Sequence, residues 1–376
     1  MRHFYLHVPF CARRCSYCDF SIAVRKRVPA REYGACIARE LDCVKQRGSP
    51  DPGTGLDTLY LGGGTPSLLP PDAIAALLTS LHAAFPGTPA DAEITIEANP
   101  EDVTAESAAA WRRAGINRVS LGAQSFEDRV LHWMHRIHDA ARIGAAMQTL
   151  RAAGFDNVSL DLIFAVPAAL KRNWSRDLDC ALSLRPEHLS LYGLTVEERT
   201  PLARWIARGA SAAPDDERYA SEYLLAHERL HDAGYDFYEI SNAAVANRRS
   251  RHNSAYWADR PYLGLGPAAH SYDGSTRHWN VEPWEEYRRC ITAGRSAVAQ
   301  SERLTDEQRR LERLYLGLRT TDGLPLTALD RPSPPLTAWK GAGWVDVHED
   351  RLVCTPEGWL RLDALVRDLT GRDGDG

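Results

Sequence analysis

The sequence has no apolar run of the ~18 residues that a membrane-spanning helix needs. Its start, MRHFYLHVPFC, lacks the basic segment, the apolar segment and the small-residue cleavage site of a secretory signal. We therefore expect a cytosolic protein whose cysteines stay reduced, with peripheral contact to a membrane surface left open.

The chain also lacks an excess of charge of either sign. Forty-five Lys and Arg oppose 50 Asp and Glu, for a net charge of -5. No general electrostatic field would attract nucleic acid, so we expect no nucleic-acid partner. A length of 376 residues with 44% hydrophobic residues predicts a folded protein of about two domains.

A fourth cysteine is missing where three lie close together. Cys11, Cys15 and Cys18 fall within the segment CARRCSYC, and an odd number cannot form a closed disulfide set. A ferredoxin run needs four cysteines, and a structural zinc needs a fourth ligand, for which His7 is nearest. Three thiolates on one loop favour an iron–sulfur cluster with one open iron over a zinc site or three unligated thiols.

The first two thirds of the chain alternate short apolar segments with amphipathic ones. Strands are predicted at 4–8, 57–62, 93–98, 117–122, 157–164 and 187–194, and helices at 31–47, 71–84, 104–114, 139–153 and 171–183. Asp72, Thr104 and Asp139 are candidate helix N-caps. Six βα units predict an α/β fold, a partial (β/α)6 barrel whose functional groups lie at the carboxyl ends of the strands.

Three domains are expected. Residues 1–195 form the barrel, 196–303 form an extension of it, and 304–370 form a small winged-helix-like α+β domain. Winged helices often bind DNA, but acidic residues in this segment favour packing against the barrel.

Several segments resemble those of a known superfamily. FYLHVPFCARRCSYCDF resembles the cysteine loop of radical S-adenosylmethionine (SAM) proteins. LGGGTPS, IEANPE, RVSLGAQSF, RIHDA and DLIFAVP are similar to one branch, the anaerobic coproporphyrinogen dehydrogenases and the related heme chaperones. The resemblance implies a radical-SAM barrel with a [4Fe-4S] cluster on Cys11, Cys15 and Cys18 and SAM on the open iron.

The resemblance also implies a SAM site. Gly63 and Gly64 would allow close approach of the ligand, Glu97 would contact its amino group or ribose, Arg136 its carboxylate and Asp161 its hydroxyls. The full set of candidates is Tyr5, Tyr17, Gly63, Gly64, Thr65, Glu97, Gln124, Arg136 and Asp161. Ordinary packing remains the alternative for each of them.

The segment RHNSAYW resembles a motif associated with heme binding in the chaperone branch. It implies that His252 is an iron ligand and that Tyr256 and Trp257 stack on the porphyrin, with His270 as the alternate ligand. A capped loop with a hydrogen-bonded histidine is the alternative.

Two departures separate the branches. The dehydrogenases carry a further cysteine two positions after the third, where this chain has Phe20, and a long segment before the first strand. These departures favour a heme chaperone that delivers heme to membrane respiratory proteins and uses an electron donor, with a homodimer left open. The alternatives are an oxygen-independent coproporphyrinogen III oxidase and a zinc-stapled interaction protein.

Overall fold

The computed structural model describes residues 1–46, 55–329 and 336–370. The strands in these ranges are β1 (His3–Val8), β2 (Phe10–Cys11), β3 (Ala23–Val24), β4 (Thr58–Gly63), β5 (Glu93–Ala98), β6 (Arg118–Gln124), β7 (Val158–Phe164), β8 (His188–Gly193), β9 (Asp236–Glu239), β10 (Asn242–Ala244), β11 (Tyr262–Leu265), β12 (His270–Tyr272), β13 (Thr276–Asn280), β14 (Val298–Arg303), β15 (Leu324–Pro325), β16 (Val345–His348) and β17 (Arg351–Cys354).

The helices of the described ranges connect these strands. They are α1 (Ala30–Gln46), α2 (Pro71–Ala84), α3 (Ala105–Arg113), α4 (Asp128–Trp133), α5 (Ala140–Ala152), α6 (Trp174–Ser183), α7 (Pro201–Ala207), α8 (Asp216–Asp232), α9 (Arg251–Trp257), α10 (Trp284–Thr292), α11 (Asp306–Arg319), α12 (Leu336–Gly341), α13 (Pro356–Trp359) and α14 (Leu362–Thr370). None of the described helices is long and apolar enough to cross a membrane.

Twelve strands form one sheet in the order β14-β13-β12-β11-β1-β4-β5-β6-β7-β8-β10-β9. The six strands from β1 through β4 to β8 run parallel, each joined to the next by at least one helix. The α/β fold and its six βα units are therefore confirmed, and each predicted strand lies within about two residues of the observed one.

Period-two alternation explains why this sheet encloses a polar interior. Side chains on one face, such as Leu61 and Ile96, are buried in a continuous apolar core beneath the helices. Their neighbours on the other face, such as Tyr60, Glu97 and Asp161, line a cavity. Most TIM barrels fill this space with branched apolar side chains, whereas polar groups here leave it open to a ligand.

The predicted helix caps are confirmed at two of three positions. Thr104 forms a capping box with Ser107, and the Asp139 side chain accepts from the Arg142 amide. The prediction for Asp72 was wrong, because α2 begins one residue earlier at Pro71, whose fixed φ suits the first helical position.

The sheet extends beyond the predicted six strands. β11 pairs parallel with β1 and continues into the antiparallel strands β12, β13 and β14. At the other edge, β10 and β9 add antiparallel to β8. These strands contain three to six residues each, which is too short for a periodic pattern to be recognised in a turn-rich segment.

The carboxyl-terminal region forms a small α+β unit of the expected winged-helix-like kind. β15, β17 and β16 form an antiparallel sheet beside α11, α13 and α14. This unit packs on the main sheet, where the Thr321 amide donates to the Tyr238 carbonyl and the Arg319 guanidinium pairs with buried Glu239 at 2.7 Å.

Candidate functional site

A cavity of about 620 Å³ opens at the carboxyl ends of the parallel strands. Side chains or backbone from β4 through β8 and from the loop after β1 line it, so the sheet must curve around it. Of the predicted cluster and SAM residues, those that line this cavity are Cys11, Cys15, Tyr17, Cys18, Gly63, Gly64, Thr65, Glu97, Gln124, Arg136 and Asp161.

Tyr5 is the SAM candidate that is not among the lining residues. Its hydroxyl oxygen lies 3.2 Å from Nδ1 of His7, and its ring stacks near Tyr60. Tyr5 therefore supports the wall of the barrel beside Tyr60, and its contact with SAM stays a prediction.

The cysteine loop is anchored to two helices. The Ser16 amide donates to the Met134 carbonyl at 3.1 Å, and the Leu202 amide donates to the Ser16 carbonyl at 2.8 Å. Because Ser16 stands between Cys15 and Cys18, these bonds from the regions of α4 and α7 fix the loop that carries both thiols.

The thiols lie in surroundings that disfavour free thiolates. Burial raises the pKa of Cys11 to about 12 and that of Cys18 to about 11. Thr65 Oγ1 donates to Cys11 Sγ at 3.4 Å, and Arg136 Nη1 donates to Cys15 Sγ at 3.5 Å. Without a metal, burial thus favours the protonated thiols of Cys11 and Cys18. A cationic iron centre, which deprotonates its thiol ligands, would supply the charge that stabilises their thiolates.

The geometry does not favour the zinc alternative. His7, the nearest fourth ligand, has Nε2 3.1 Å from the Ser21 carbonyl and Nδ1 near the Tyr5 hydroxyl. Across the described ranges, no three His, Cys, Asp or Glu side chains converge as ligands for one metal ion. A cubane cluster binds its cysteines at separate irons, so three thiols around one cavity fit it better than a single ion.

Arg136 connects the cysteine loop to the ends of β5 and β6. Its Nη2 donates to Asn99 Oδ1 at 2.6 Å and to the Gly122 carbonyl at 3.0 Å, while its Nε has no partner. The outer nitrogens are therefore already engaged, and the structure does not present the free bidentate fork expected for a SAM carboxylate.

Two buried carboxylates, Glu97 and Asp161, form an acidic wall in the same cavity as the cysteine loop. Glu97 accepts from the Tyr60 hydroxyl at 2.9 Å and from the Gly63 amide at 3.0 Å, and burial raises the pKa of Glu97 to about 7. Asp161 accepts from Ser120 Oγ at 3.0 Å, and burial also raises the pKa of Asp161. Such a wall suits a positively charged ligand with hydroxyl groups.

Gly63 and Gly64 also have a role in packing. Gly63 has a φ of +106°, and a Cβ there would lie 2.5 Å from the His7 ring. A Cβ on Gly64 would lie 2.8 Å from the Phe10 carbonyl oxygen. Their missing side chains allow the loop after β1 to pack on β4, in addition to any approach of a ligand.

The comparisons with known proteins agree with this geometry. The model of the radical SAM superfamily matches residues 5–170, and that of the HemN C-terminal domain matches residues 304–361. The chain is 40% identical over 371 residues to a heme chaperone HemW of Mycobacterium tuberculosis, covering 98% of this chain and 94% of that one. The HemW of Bacillus subtilis is 34% identical, covering 86% and 85%.

The chain belongs to the HemW family of radical SAM proteins. A mitochondrial radical S-adenosyl methionine domain-containing protein 1 of Bos taurus is 33% identical over 98% of this chain and 86% of its own. The coproporphyrinogen III oxidase HemN of Escherichia coli has a TM-score of 0.81 at 22% identity, covering 98% of this chain and 89% of that one. HemN and this HemW-family chain therefore share a fold.

The structure does not place His252 of this HemW-family chain in an open heme site. RHNSAYW forms α9, and the Glu93 carboxylate at the start of β5 accepts from the amides of Arg251 and His252, both at 3.0 Å. The His252 side chain is 1% exposed, and burial lowers its pKa to about 3. The helix closes the amino end of the barrel, opposite the cavity.

Tyr256 and Trp257, on the same helix, also contact other parts of the protein. The Tyr256 hydroxyl lies 2.8 Å from His252 Nε2, and the Arg319 guanidinium lies 4.0 Å from the centre of the Trp257 ring. The Tyr256 hydroxyl and one face of the Trp257 ring are therefore already in contact with protein groups.

His270 is the heme candidate that the structure leaves exposed. It begins β12, and its ring stacks on Trp279 with centres 5.5 Å apart. The preceding loop is held by Glu40, which accepts from the Gly266 amide at 2.8 Å and from the Tyr287 hydroxyl at 2.6 Å. Partial burial lowers the pKa of His270, which favours the neutral imidazole that binds iron.

Sequence reasoning did not identify several residues that line the cavity. Tyr60, Asn99, Ser120 and Tyr192 all contribute to its wall. The alternation of apolar and polar residues along β4, β6 and β8 could have identified three of them. Tyr60, Ser120 and Tyr192 each lie on the polar face of their strand, which faces the cavity.

Proposed function

We propose that this chain is a heme chaperone that holds a [4Fe-4S] cluster, SAM and heme. The observation that carries the proposal is that Cys11, Cys15 and Cys18 line one cavity and are carried by a short segment that backbone hydrogen bonds anchor. The match to HemW relatives along nearly the whole chain supports the same function.

The residues of the cavity have distinct roles in this proposal. When bound, the cluster and SAM supply one-electron reductive cleavage of SAM. The three cysteines hold the cluster, Arg136 orients Cys15, and the acidic wall of Glu97 and Asp161 receives the amino and hydroxyl groups of SAM. The remaining contacts to SAM are assigned to Tyr17, Gly63, Gly64, Thr65 and Gln124.

For heme, we assign the iron ligand to His270. Its exposed imidazole can reach a ligand from solvent, and the Trp279 ring beside it offers an apolar face for a porphyrin. The proposed chaperone delivers heme to membrane respiratory heme proteins and receives electrons from an external donor. It is cytosolic, contacts the membrane surface and forms a homodimer.

Anaerobic reconstitution with iron and sulfide, followed by heme titration and a coproporphyrinogen III turnover assay on one sample, tests this function. We expect about four irons per chain, saturable heme binding and no decarboxylation of coproporphyrinogen III. Decarboxylation over many turnovers by a protein that binds no heme would instead establish the oxidase alternative.

A matched pair of histidine variants tests the heme ligand. His270→Ala should lose or shift the Soret band of bound heme, and His252→Gln should keep it, because the His252 ring nitrogens already have protein partners. The opposite result, a Soret band lost only in His252→Gln, would show that His252 on α9 is the iron ligand.

A further inference from the structure

A row of hydrogen-bonding groups runs from a tyrosine on α9 towards the surface at the amino end of the barrel. The Tyr256 hydroxyl lies 2.8 Å from His252 Nε2, and His252 Nδ1 lies 2.8 Å from Thr58 Oγ1. Thr58 Oγ1 in turn lies 3.0 Å from Nδ1 of His3. Three consecutive bonds thus connect a phenol to a partly exposed imidazole.

These three bonds are compatible with protons oriented in either direction. With Tyr256 donating, His252 accepts at Nε2 and donates from Nδ1 to Thr58, which donates to His3. With His3 donating, every bond reverses and the Tyr256 oxygen accepts. A row of groups that satisfies both orientations can move a proton along its length without leaving a buried donor unpaired.

An aromatic path joins the same tyrosine to the cavity. The ring of Tyr60 stacks on that of His252 with centres 5.2 Å apart, and the ring centres of His252 and Tyr256 are 4.8 Å apart. The Tyr60 hydroxyl donates to Glu97 in the cavity wall. The aromatic rings therefore extend without interruption from the proposed SAM site to the proton row.

We infer that Tyr256 is a redox-active tyrosine that reduces carbon radicals arising in the cavity and sends its own proton through His252 and Thr58 to His3. The source of those radicals rests on the proposed function, since cleavage of SAM would produce them.

The atoms and electrons balance over two steps. Tyr60 gives its hydroxyl hydrogen to a primary carbon radical, so one O–H bond breaks and one C–H bond forms. The Tyr60 phenoxyl then takes an electron from Tyr256 and a proton that enters from the cavity through Glu97. Tyr256 becomes the oxidised phenoxyl, and its proton leaves through His252 towards His3.

The first experiment needs neither cluster nor SAM. The apoprotein is oxidised by a laser-excited ruthenium polypyridyl with a sacrificial electron acceptor and is then frozen for EPR. We expect a tyrosyl signal that narrows with ring-deuterated tyrosine and is largely lost in Tyr256→Phe. Tyr262→Phe is the matched control, because this neighbouring ring lies 4.6 Å from Tyr256 but outside the proton row. Equal signals in both variants would overturn the inference.

A threonine pair tests the proton row without removing an aromatic ring. Thr58→Val removes the hydroxyl that is hydrogen-bonded to both His252 and His3, whereas Thr95→Val removes a buried hydroxyl that has no partner. We expect radical formation at Tyr256 to slow several-fold in Thr58→Val, with loss of its solvent deuterium isotope effect, and to stay unchanged in Thr95→Val. If the row of hydrogen bonds has only a structural role, the rate of radical formation and its solvent deuterium isotope effect should be the same in Thr58→Val and Thr95→Val. That result would contradict the inference.

The second experiment uses reconstituted protein with SAM and a reductant, without heme. The expected result is 5'-deoxyadenosine together with the Tyr256 radical. Formation of 5'-deoxyadenosine without that radical would overturn the transfer from the cavity. Absence of SAM cleavage would reject the proposed function instead, while the ruthenium result would still decide whether Tyr256 is redox-active.

Discussion

Cys11, Cys15 and Cys18 face one cavity because short spacing and an anchored loop leave them few alternatives. The same cavity is lined by Glu97, whose pKa is raised to about 7 by burial, and by Arg136, which donates to Cys15. At this scale, desolvation raises the pKa of Cys11, Cys18 and Glu97, and a bound cationic cofactor would oppose these shifts.

Cys15→Ser should abolish the reconstituted cluster and leave the fold intact. Two thiolates on this loop cannot hold a cubane cluster, while the backbone bonds of Ser16 do not depend on the Cys15 sulfur. Iron and sulfide analysis with circular dichroism provides the measurement. Cys43→Ser, on α1, is the control and should keep the full iron content. Retention of about four irons in Cys15→Ser would reject the ligand assignment.

The affinity for SAM should rise as the pH increases through about 7. Burial raises the pKa of Glu97, so its carboxylate becomes charged only above that pH, where it attracts the positively charged amino group of SAM. Equilibrium binding of SAM to wild type and Glu97→Gln tests this. The variant should bind several-fold more weakly at alkaline pH and lack this step in its pH profile.

The same pKa predicts the direction of a stability change. Glu97 in the unfolded chain ionises at a lower pH than in the fold, so its contribution to stability is present in acid and is lost as the pH rises through about 7. As the pH rises from the pKa of Glu97 in the unfolded chain to about 7, the free energy of unfolding of Glu97→Gln minus that of wild type should therefore increase. A constant difference would mean that Glu97 is not the titrating group.

Among the elements, α9 shows how a short helix is fixed by a partner distant in sequence. Ser250 caps it, and the Glu93 carboxylate accepts from its first two amides. Seven residues are too few for a stable isolated helix, so its stability comes from these contacts and from packing against β4.

Glu93→Ala should lower the free energy of unfolding by about 1–3 kcal/mol, because two amides at the buried end of α9 lose their acceptor. Urea denaturation of the apoprotein measures this. Asp91→Ala is the control, since this exposed carboxylate pairs with Arg251 only at 3.8 Å and should change stability by less than about 1 kcal/mol. Equal effects would mean that Glu93 does not hold the helix.

For the whole molecule, a buried ion pair of Arg319 with Glu239 links the carboxyl-terminal unit to the main sheet. Arg319, at the end of α11, lies 2.7 Å from the fully buried carboxylate of Glu239 and covers the ring of Trp257 on α9. The unit therefore packs against the sheet of the barrel, as the sequence predicts.

Arg319→Ala should destabilise the protein by about 3–5 kcal/mol, because Glu239 would keep a buried charge without its partner. Arg248→Ala is the control, since its pair with Asp156 lies at the surface and should contribute less than about 1 kcal/mol. Denaturant unfolding measures both. Glu239→Gln combined with Arg319→Met should recover part of the loss, and no recovery would indicate that the buried charge is not the cause.

The sequence by itself determined the βα order, the polar face of each strand and the position of the cluster loop. These features depend on residues close in sequence, where a period of two or a spacing such as CxxxCxxC is directly visible.

Only the tertiary structure decided which histidine is available to a ligand. His252 and His270 look equivalent in sequence, yet the first bonds to Thr58, 194 residues away, while the second remains exposed. Gly63 likewise needs its missing side chain because of His7, on a neighbouring strand. Contacts over such separations are created by the packing of the whole chain, and no local pattern encodes them.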